Sequence, residues 1–368
     1  MAGAHRPFPF KTYYKINRTL HMIHPSLKKL KRRTPLFFSN PQLIMASTIL
    51  FHGNCIDGFT SAFLAHTALT NQGVTDIKMY PVAPTGAGLP HPKEMAGRHV
   101  LMVDVSFDQV KRAAWTKAGA LSIQCIDHHA TSCSHWSAEA NPIHTESCAA
   151  LQVFRHFFPQ QEVPFWLHVI DRIDRWDNPT DADRCVRELL NIIAHKPVQH
   201  KDSIDAALTE MRDWIALINT PEGQTQQLTI GKALLDKKEA ELCQILGKGT
   251  FVTIGFEHQQ AWQLPASWLG ANVYLIDNTD MLIDTTEASH IVFVNRPGVD
   301  VFINYRRKSF VPRANKGSMS DEKNSIIYYA RSRNFNLTEG TIFRGHPTAA
   351  GATLVDGEAS HFPFLLTA

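Results

Sequence analysis

Acidic and imidazole side chains occur at three places where a strand-like run of the sequence ends. They are Asp57, Asp104, Asp127, His128 and His129. In an open parallel sheet the carboxyl ends of neighbouring strands meet at one edge, and such sheets bind their ligands there. Carboxylates together with imidazoles suit divalent Mn, Fe or Zn, whereas sites made only of oxygen atoms favour Mg or Ca. The sequence therefore predicts a metal-dependent active site at this edge.

Two divalent cations about 3.5–4 Å apart require one shared acidic ligand and further ligands on both sides. The predicted ligands are His52, Asp57, Asp104, His128 and either Asp171 or Asp174. The last two acids are each followed by an arginine, so a salt-bridged helix end is the alternative interpretation for them. Cys55 is a further candidate ligand, although an ordinary loop thiol is the slightly favoured interpretation. Such a metal pair would activate water and stabilise an in-line displacement at phosphorus.

The elements that must position these side chains follow an α/β pattern between residues 45 and 180. Strands are predicted near 47–51, 78–82, 99–104 and 121–126. Helices are predicted at 58–72, 107–118, 147–158 and 163–176. Thr145 or Ser147 is the expected N-cap of the third helix. Strands separated by helices in this way indicate right-handed crossovers and a parallel sheet.

Two further regions follow this predicted domain. Residues 181–249 carry apolar side chains at helical spacing without a clear strand, which predicts a helical connector. Strand signals return in residues 250–368, which predicts a second, smaller α/β domain that binds substrate. Its predicted strands are 251–256, 272–276, 291–294, 299–305 and 325–330, and its predicted loose insertion is 306–324.

The composition fits a globular chain of two domains. With 368 residues, 44% of them hydrophobic and 19% charged, each domain can bury a core of ordinary size. No apolar run approaches the ~18–20 residues needed to cross a bilayer, so we expect no membrane span and no membrane partner. The six cysteines lack the spacing of a paired zinc site or a secreted disulfide framework, which indicates a reducing compartment.

The charge is unevenly distributed. Residues 1–44 hold nine Lys or Arg and no Asp or Glu, which is typical of a mitochondrial transit peptide. The alternative is that Met45 is the working start and the leader is not translated. We therefore expect a cytoplasmic protein, or a matrix protein if the leader directs import, and not a secreted one. The remaining residues carry 28 basic and 34 acidic side chains, a net charge of −6, which argues against an extended nucleic-acid surface.

A second group of residues that could do chemistry lies near the carboxyl terminus. Its members are Arg331, Ser332, Gly345, His346, Ala350 and Gly351. Small residues let a backbone approach a ligand closely, as at phosphate sites, and an arginine binds phosphate through two parallel hydrogen bonds. A Gly-rich turn beside a solvated arginine pair is the alternative. Next to a metal-binding domain, the group is predicted to bind substrate.

Taken in order, these motifs resemble those of the DHH phosphoesterase superfamily, which includes RecJ-like nucleases, oligoribonucleases and family II pyrophosphatases. The residues similar to its metal motifs are Asp57-Gly58, Asp104, Asp127-His128-His129, and Asp171 or Asp174. The residues similar to its associated C-terminal domain are Arg331-Ser332, Gly345-His346 and Ala349-Ala350-Gly351. The resemblance covers most of 47–180 and 250–360. It implies a cleft between two domains, with Mn²⁺ as the cation and Mg²⁺, Co²⁺ or Zn²⁺ as alternatives.

The resemblance also implies roles for individual residues. Asp104 would bridge the metals, His128 would be a ligand, and His129 would contact phosphate. His346 would neutralise phosphate charge, and Arg331 would hold a flanking phosphate. Together they imply hydrolysis of phosphodiester bonds with release of mononucleotides.

The sequence departs from the family pattern at three positions. Cys55 stands where the first motif usually carries the earlier of two Asp residues, so one cation would lose a hard carboxylate. A thiolate there would favour softer metals, or the site would hold only one metal tightly. His52 stands one residue farther from this motif than in some relatives, and Arg344 replaces a Gly before Gly345.

We therefore expect a metal-dependent phosphodiesterase, similar to an exonuclease or oligoribonuclease, that cleaves short single-stranded oligonucleotides or small nucleotides with metal-activated water. The net negative charge favours short substrates, because binding of long nucleic acids depends on many phosphate contacts. One alternative is a phosphatase acting on polyphosphate or pyrophosphate. Another is a catalytically weakened nucleotide-binding protein, which Cys55 brings into consideration. The sequence leaves the oligomeric state open, with a homodimer as one option.

Overall fold

The structure, a computed structural model, describes residues 46–129, 146–199, 203–261, 264–277, 283–308, 325–335, 337, 344–346 and 349–355. Within these residues the chain builds one parallel sheet, one mixed sheet and a set of helices that flank them. The predicted α/β class is confirmed. The predicted leader at 1–44 and the expected cap Thr145 lie outside the described residues.

The first sheet is parallel and has four strands in the order β2-β1-β3-β4. Its strands are β1 (Ala46–His52), β2 (Asp76–Val82), β3 (His99–Val103) and β4 (Ser122–Ile126). The helices of this region are α1 (Ile56–Asn71), α2 (Gln109–Lys117), α3 (Ala149–Phe157) and α4 (Phe165–Arg175), with a short 3₁₀ helix at Pro92–Met95. The central strands β1 and β3 are buried almost throughout, as expected for parallel strands covered on both faces.

A helical segment follows the first sheet. It contains α5 (Asp181–Ala194), α6 (Lys196–Gln199), α7 (Ile204–Ile218) and α8 (Pro221–Leu246). Leu190 of α5 and Met211 of α7 belong to the same buried cluster as Phe59 of α1 and Ile49 of β1. Part of this segment therefore shares its core with the parallel sheet. In the described part of the chain, no helix is both long and apolar enough to cross a membrane.

The second sheet has six strands in the order β5-β6-β7-β8-β10-β9, and only β6 and β7 run parallel within it. The strands are β5 (Thr250–Thr253), β6 (Asn272–Asp277), β7 (Val301–Lys308), β8 (Ser325–Ser332), β9 (Arg344–His346) and β10 (Ala349–Val355). The helices of this region are α9 (Phe256–Ala261), the 3₁₀ helix Ala266–Trp268 and α10 (Thr285–Asn295). Of the predicted insertion at 306–324, residues 306–308 continue β7 and the rest lies outside the described residues.

The strand predicted at 291–294 was wrong, because these residues form the second half of α10. Asp284 caps this helix by accepting a hydrogen bond from the Glu287 N–H at 3.2 Å. Ala288, Ile291 and Val292 face one buried cluster at helical spacing. A short apolar run does not by itself distinguish a buried strand from a buried helix, so the pattern of residues 291–294 alone was misleading.

Ion pairs join α5 to α10 and so connect the helical segment with the second sheet. Arg184 of α5 donates to Glu287 and to Glu239 of α8, and Glu287 is fully buried. Arg187, one turn further, pairs with Asp284 at 2.8 Å. Because buried charges that lose their partner are costly, these pairs resist separation of α10 from α5.

Candidate metal centre

The first ligand candidates lie where β1 passes into α1. β1 ends at His52, and Asn54 then takes a left-handed conformation with φ of 58° before α1 begins. A Cβ added at Gly58 would lie 2.3 Å from the carbonyl oxygen of His52, so only glycine lets the helix approach the strand end this closely. This approach brings Asp57, in the first turn of α1, next to the other strand ends.

The carboxylates of Asp57 and Asp171 hold the amino terminus of α3. Asp57 accepts hydrogen bonds from the backbone N–H groups of Ala149 at 2.8 Å and Ala150 at 2.7 Å. Asp171 accepts one from the N–H of Cys148 at 2.7 Å. The first N–H groups of a helix have no partner within it and carry partial positive charge, so carboxylates satisfy them well.

The expectation that Ser147 caps α3 was wrong, because the cap residue is Cys148 and its side chain makes no capping hydrogen bond. The carboxylates that accept the first N–H groups of α3 come from distant parts of the sequence. An N-cap rule that considers only neighbouring residues therefore cannot predict them.

His128 lies at the centre of the acidic cluster. Its Nε2 atom is 3.2 Å from Asp104 Oδ1, 3.4 Å from Asp174 Oδ2 and 3.6 Å from Asp57 Oδ2. Asp104 directly follows β3 and has a left-handed φ of 57°, a conformation that Asp tolerates better than most residues. Its second oxygen, Oδ2, lies 3.3 Å from Nδ1 of His52. The two oxygens of Asp104 thus face opposite halves of the cluster.

The charges of the cluster act strongly on one another. Burial, followed by the charges of Asp104 and Asp174, raises the pKa of Asp57 well above its usual value. Burial alone would raise the pKa of Asp104 as well, but the imidazoles of His128 and His52 hold it well below its usual range. Burial also opposes protonation of His128, yet the surrounding carboxylates raise its pKa to about 10. The acids are therefore crowded, and in the absence of other cations His128 is their closest positive charge.

Asp127 differs from the other acids of the cluster because it binds the backbone and side chain of the residues that directly follow it. Its Oδ1 atom accepts hydrogen bonds from the backbone N–H groups of His128 at 2.8 Å and His129 at 3.2 Å. The same oxygen lies 2.6 Å from Nδ1 of His129. Burial would lower the pKa of His129, but Asp127 raises it to about 9. Asp127 therefore shapes the turn after β4 and orients the His129 ring, whose centre lies 4.5 Å from that of His128.

The residues of this cluster fit a divalent cation. Among the described residues, no group donates a well-aligned hydrogen bond to the buried atoms Asp104 Oδ1 and Asp174 Oδ2. Buried carboxylate oxygens normally have such a donor or coordinate a metal. The described residues contain three sets of potential ligands, and within each set one ligand atom per residue lies within 4.8 Å of all the others. The sets are Asp104-Asp127-His128-His129, His52-Cys55-Asp104 and Asp57-His128-Asp174. The donor set of carboxylates, imidazoles and one thiol is that of a transition-metal site.

The structure separates the alternatives Asp171 and Asp174. Asp174 reaches the cluster, whereas Asp171 is bound by Arg175 through contacts of 3.1 Å and 2.8 Å and by the Cys148 N–H. Positions 171 and 174 lie about 60° apart around a helix of 3.6 residues per turn, so the two carboxylates face different neighbours. Asp171 is therefore the salt-bridged helix end that the sequence offered as its alternative, and it stands outside the candidate ligand set.

The C-terminal candidates divide in a similar way. Arg331 of β8 lies over the ring of Trp176, with its guanidinium carbon 5.9 Å from the ring centre, and it donates to Thr286 at 2.7 Å. Burial, together with the positive charge of Arg187, lowers the pKa of Arg331 to about 10, and Asp174 is close enough to oppose that shift. Ser332 is buried, and its hydroxyl accepts a hydrogen bond from the Phe335 N–H at 2.7 Å. Arg331 therefore lies near the acidic cluster, whereas the Ser332 hydroxyl stabilises the turn that leads to Phe335.

The small residues of the second group lie in the β9–β10 hairpin. Ala350 pairs with Gly345 and Gly351 pairs with Arg344, while Ala349 pairs with His346 on one side and with Arg331 on the other. The pairing places Arg331, Ala349 and His346 in one row across the sheet. The expected phosphate contact of the His346 side chain lies outside what the structure describes.

Sequence reasoning missed Trp176 and Arg187. Trp176 ends α4 in a left-handed conformation with φ of 52°, and Arg187 lies 5.7 Å from its ring centre. Trp176 therefore stands two residues beyond Asp174, with two guanidinium groups near its ring. A bulky residue at a helix end leaves no periodic signal, so only the fold brings this group together.

No protein-family model matches the sequence, and no curated protein matches it either. Among solved structures, the chain is similar to a DHH-domain protein described as a member of the S1p family of ribosomal proteins, with a TM-score of 0.53, 14% identity and coverage of 87% of this chain and 86% of that one. Similarity also extends to the RecJ complex with Mn²⁺ from Thermus thermophilus (TM-score 0.45, 14% identity, coverage 87% and 51%). An exopolyphosphatase-related protein from Bacteroides fragilis is similar as well (TM-score 0.39, 13% identity, coverage 88% and 91%). The first similarity confirms, at the level of the fold, the resemblance inferred from the motifs.

Proposed function

Starting from the DHH-domain fold of this chain, we propose that the protein is a metal-dependent phosphoesterase that hydrolyses short single-stranded oligonucleotides or small nucleotides. The observation that carries this proposal is the convergence of Asp104, Asp174 and Asp57 on Nε2 of His128, at distances of 3.2, 3.4 and 3.6 Å. Divalent cations, with Mn²⁺ as the expected one, would polarise a phosphate and activate water there.

The residues of the chain would hold and orient the reacting groups. Asp104 presents one oxygen to His52 and the other to His128, so it is placed to serve both halves of a metal pair. His129 lies at the rim of the cluster, and Asp127 fixes the direction of its ring. In this position His129 would donate a hydrogen bond to a phosphate oxygen and offset its charge.

The substrate side would be formed by Arg331 and Trp176. The guanidinium of Arg331 makes no ion pair with the described residues, in contrast to Arg187, which pairs with Asp284. A half-buried guanidinium without a carboxylate partner, close to a cluster of metal ligands, is suited to a flanking phosphate. Such a contact would position the scissile phosphate relative to Asp104 and His128.

Two observations favour nucleotides over polyphosphate. Trp176 is a half-buried aromatic ring that contacts Arg331 and Arg187, and a base that displaced one guanidinium from the ring would stack there, with an expected contribution of about 1–3 kcal/mol per base. In addition, residues 45–368 carry a net charge of −6, which favours substrates that need few phosphate contacts. A compact polyanion would gain nothing from the indole ring.

The proposal is tested by hydrolysis assays on the full chain after chelation and reloading with Mn²⁺. The substrates are dinucleotides, longer RNA, DNA, cyclic dinucleotides and polyphosphate. We expect turnover of dinucleotides that falls at least about 100-fold in Asp104→Asn, since metal-based stabilisation contributes several kcal/mol to the transition state. Asn tolerates the left-handed backbone at this position, so the variant removes a ligand charge with little strain.

Asp177→Asn is the matched control, because Asp177 is an exposed acid just beyond α4. It should retain wild-type turnover, and thermal melts should show that both variants are folded. Dinucleotide turnover that persists in folded Asp104→Asn would contradict the proposal. Cleavage of polyphosphate alone would instead assign a phosphatase, and dinucleotide binding without any turnover would assign a nucleotide-binding protein.

A further inference from the structure

We propose that the metal centre is heterobinuclear, with one half built for a softer cation than the other. The softer half is the sulfur triad, which consists of His52, Cys55 and Asp104. The harder half is the oxygen triad, which consists of Asp57, His128 and Asp174. We infer that the sulfur triad selects Zn²⁺ or a chemically similar cation, while the oxygen triad accepts Mn²⁺. This inference rests on the proposed function, because it specifies the cations of the same centre.

The geometry supports two separate triads that lie side by side. In each triad, one ligand atom from every residue lies within 4.8 Å of the others. Asp104 Oδ2 is 3.3 Å from Nδ1 of His52 in the sulfur triad, and Asp104 Oδ1 is 3.2 Å from Nε2 of His128 in the oxygen triad. This one carboxylate would therefore be shared between two cations with different surroundings.

Helix capping does not by itself explain a thiol at position 55. Cys55 occupies the N-cap of α1 without a well-aligned capping hydrogen bond. Burial raises the pKa of its thiol, whereas the nearby Gly58 N–H favours the thiolate form by lowering that pKa. Ser, Thr, Asp and Asn are the residues that stabilise helices from this position, so capping does not favour Cys here. The thiol is half-buried rather than packed in the core. Its sulfur instead belongs to a set of ligand atoms that includes His52 and Asp104.

The donor atoms of the two triads have different preferences. A thiolate with an imidazole favours Zn²⁺ and similar cations, whereas carboxylates favour Mn²⁺ and Mg²⁺. The sulfur triad offers one sulfur, one nitrogen and one carboxylate, and the oxygen triad offers two carboxylates and one nitrogen. Binding at Cys55 replaces the thiol proton by the cation, and that proton leaves to solvent. A single substitution in the sulfur triad therefore distinguishes the two halves.

The experiment is a spectroscopic titration of the metal-free full chain with Co²⁺, without substrate. Coordination by sulfur produces a near-ultraviolet charge-transfer band, which coordination by nitrogen and oxygen does not. We expect this band in the wild type and in Cys243→Ser, whose thiol is exposed on α8, and we expect its loss in Cys55→Ser. The Kd for Zn²⁺ should rise at least about tenfold in Cys55→Ser, because even the loss of a residue that only supports a ligand costs 10–100-fold. The Kd for Mn²⁺ at the oxygen triad should change much less.

Metal analysis after exposure to Zn²⁺ and Mn²⁺ together provides a second readout. We expect one equivalent of each in the wild type and mainly Mn²⁺ in Cys55→Asp, which restores a hard ligand. A charge-transfer band that persists in folded Cys55→Ser would overturn the inference. So would a wild-type protein that binds two equivalents of Mn²⁺ and no Zn²⁺ when both cations are offered. Because no substrate is present, a failure here leaves the hydrolase proposal intact. A positive result without turnover in the hydrolysis assay would reject only the proposed function.

Discussion

Asp57 and Asp174 belong to the same triad, but we predict opposite roles for them in the stability of the metal-free protein. Asp57 is 1% exposed and accepts backbone hydrogen bonds from Ala149 and Ala150 at the start of α3. Among the described residues, Oδ2 of Asp174 accepts no hydrogen bond. Substitution by Asn preserves the shape of each side chain and removes its charge. Asp57→Asn should therefore destabilise the metal-free protein, whereas Asp174→Asn should not.

The magnitude follows from the two hydrogen bonds. In Asp57→Asn the amide oxygen can accept from one backbone N–H, but the amide nitrogen then faces the other. One hydrogen bond of about 1 kcal/mol is lost, and one buried donor is left without an acceptor at a cost of about 1–3 kcal/mol. Both variants relieve repulsion within the same group of acids. The gain is larger for Asp57, whose pKa is raised further above its usual value, so it offsets part of the lost hydrogen bonding. We therefore expect Asp57→Asn to be less stable than Asp174→Asn by about 1–3 kcal/mol.

The assay is urea unfolding of both variants and the wild type in the presence of a chelator, near neutral pH. The free energy of unfolding should fall in Asp57→Asn and remain within about 1 kcal/mol of the wild type in Asp174→Asn. Both variants should bind Mn²⁺ more weakly, because both acids are candidate ligands. A loss of stability in Asp57→Asn alone would therefore report its capping role separately from its ligand role. Equal stability of the two variants would refute the assignment of Asp57 as the group that holds α3.

Three further outcomes are expected. Gly58→Ala should lower the free energy of unfolding by at least about 1–3 kcal/mol and weaken Mn²⁺ binding, because the new Cβ would lie 2.3 Å from the His52 carbonyl oxygen. Gly298→Ala is its control and should be neutral in thermal melts and metal titration, because a Cβ there meets no atom of the described residues within 4 Å. Arg184→Met should lower the free energy of unfolding by about 3–5 kcal/mol, measured by urea unfolding, because it leaves the buried Glu287 without its main partner. Mn²⁺ at 100 times its Kd should stabilise the wild type by about 2.7 kcal/mol, and a chelator should reverse the resulting rise in Tm; an unchanged Tm would argue against a cation in this cluster.

The α/β class and the positions of the site were accessible from the sequence for a simple physical reason. A parallel strand that is buried on both faces appears as a short apolar run, and its carboxyl end is the place where a ligand can be bound. Asp104 directly follows such a run, and Asp127 directly follows the half-buried edge strand β4, so their meeting at one edge could be predicted before the fold was known. The residue types then indicated divalent metal chemistry.

Tertiary contacts decided which of these residues share one point. Asp171 and Asp174 are each followed by an arginine in the sequence. The pair of Asp171 with Arg175 is a local contact one helical turn apart, whereas only the position of α4 brings Asp174 to His128. Likewise, residues 291–294 have the composition of a strand, and the buried environment between the second sheet and α8 makes them a helix. Local patterns limit whether a segment can form a helix or a strand. The residue that a given side chain contacts depends on packing between segments far apart in the chain. Trp176 and Arg331, which are 155 positions apart in the sequence, therefore meet only through the fold.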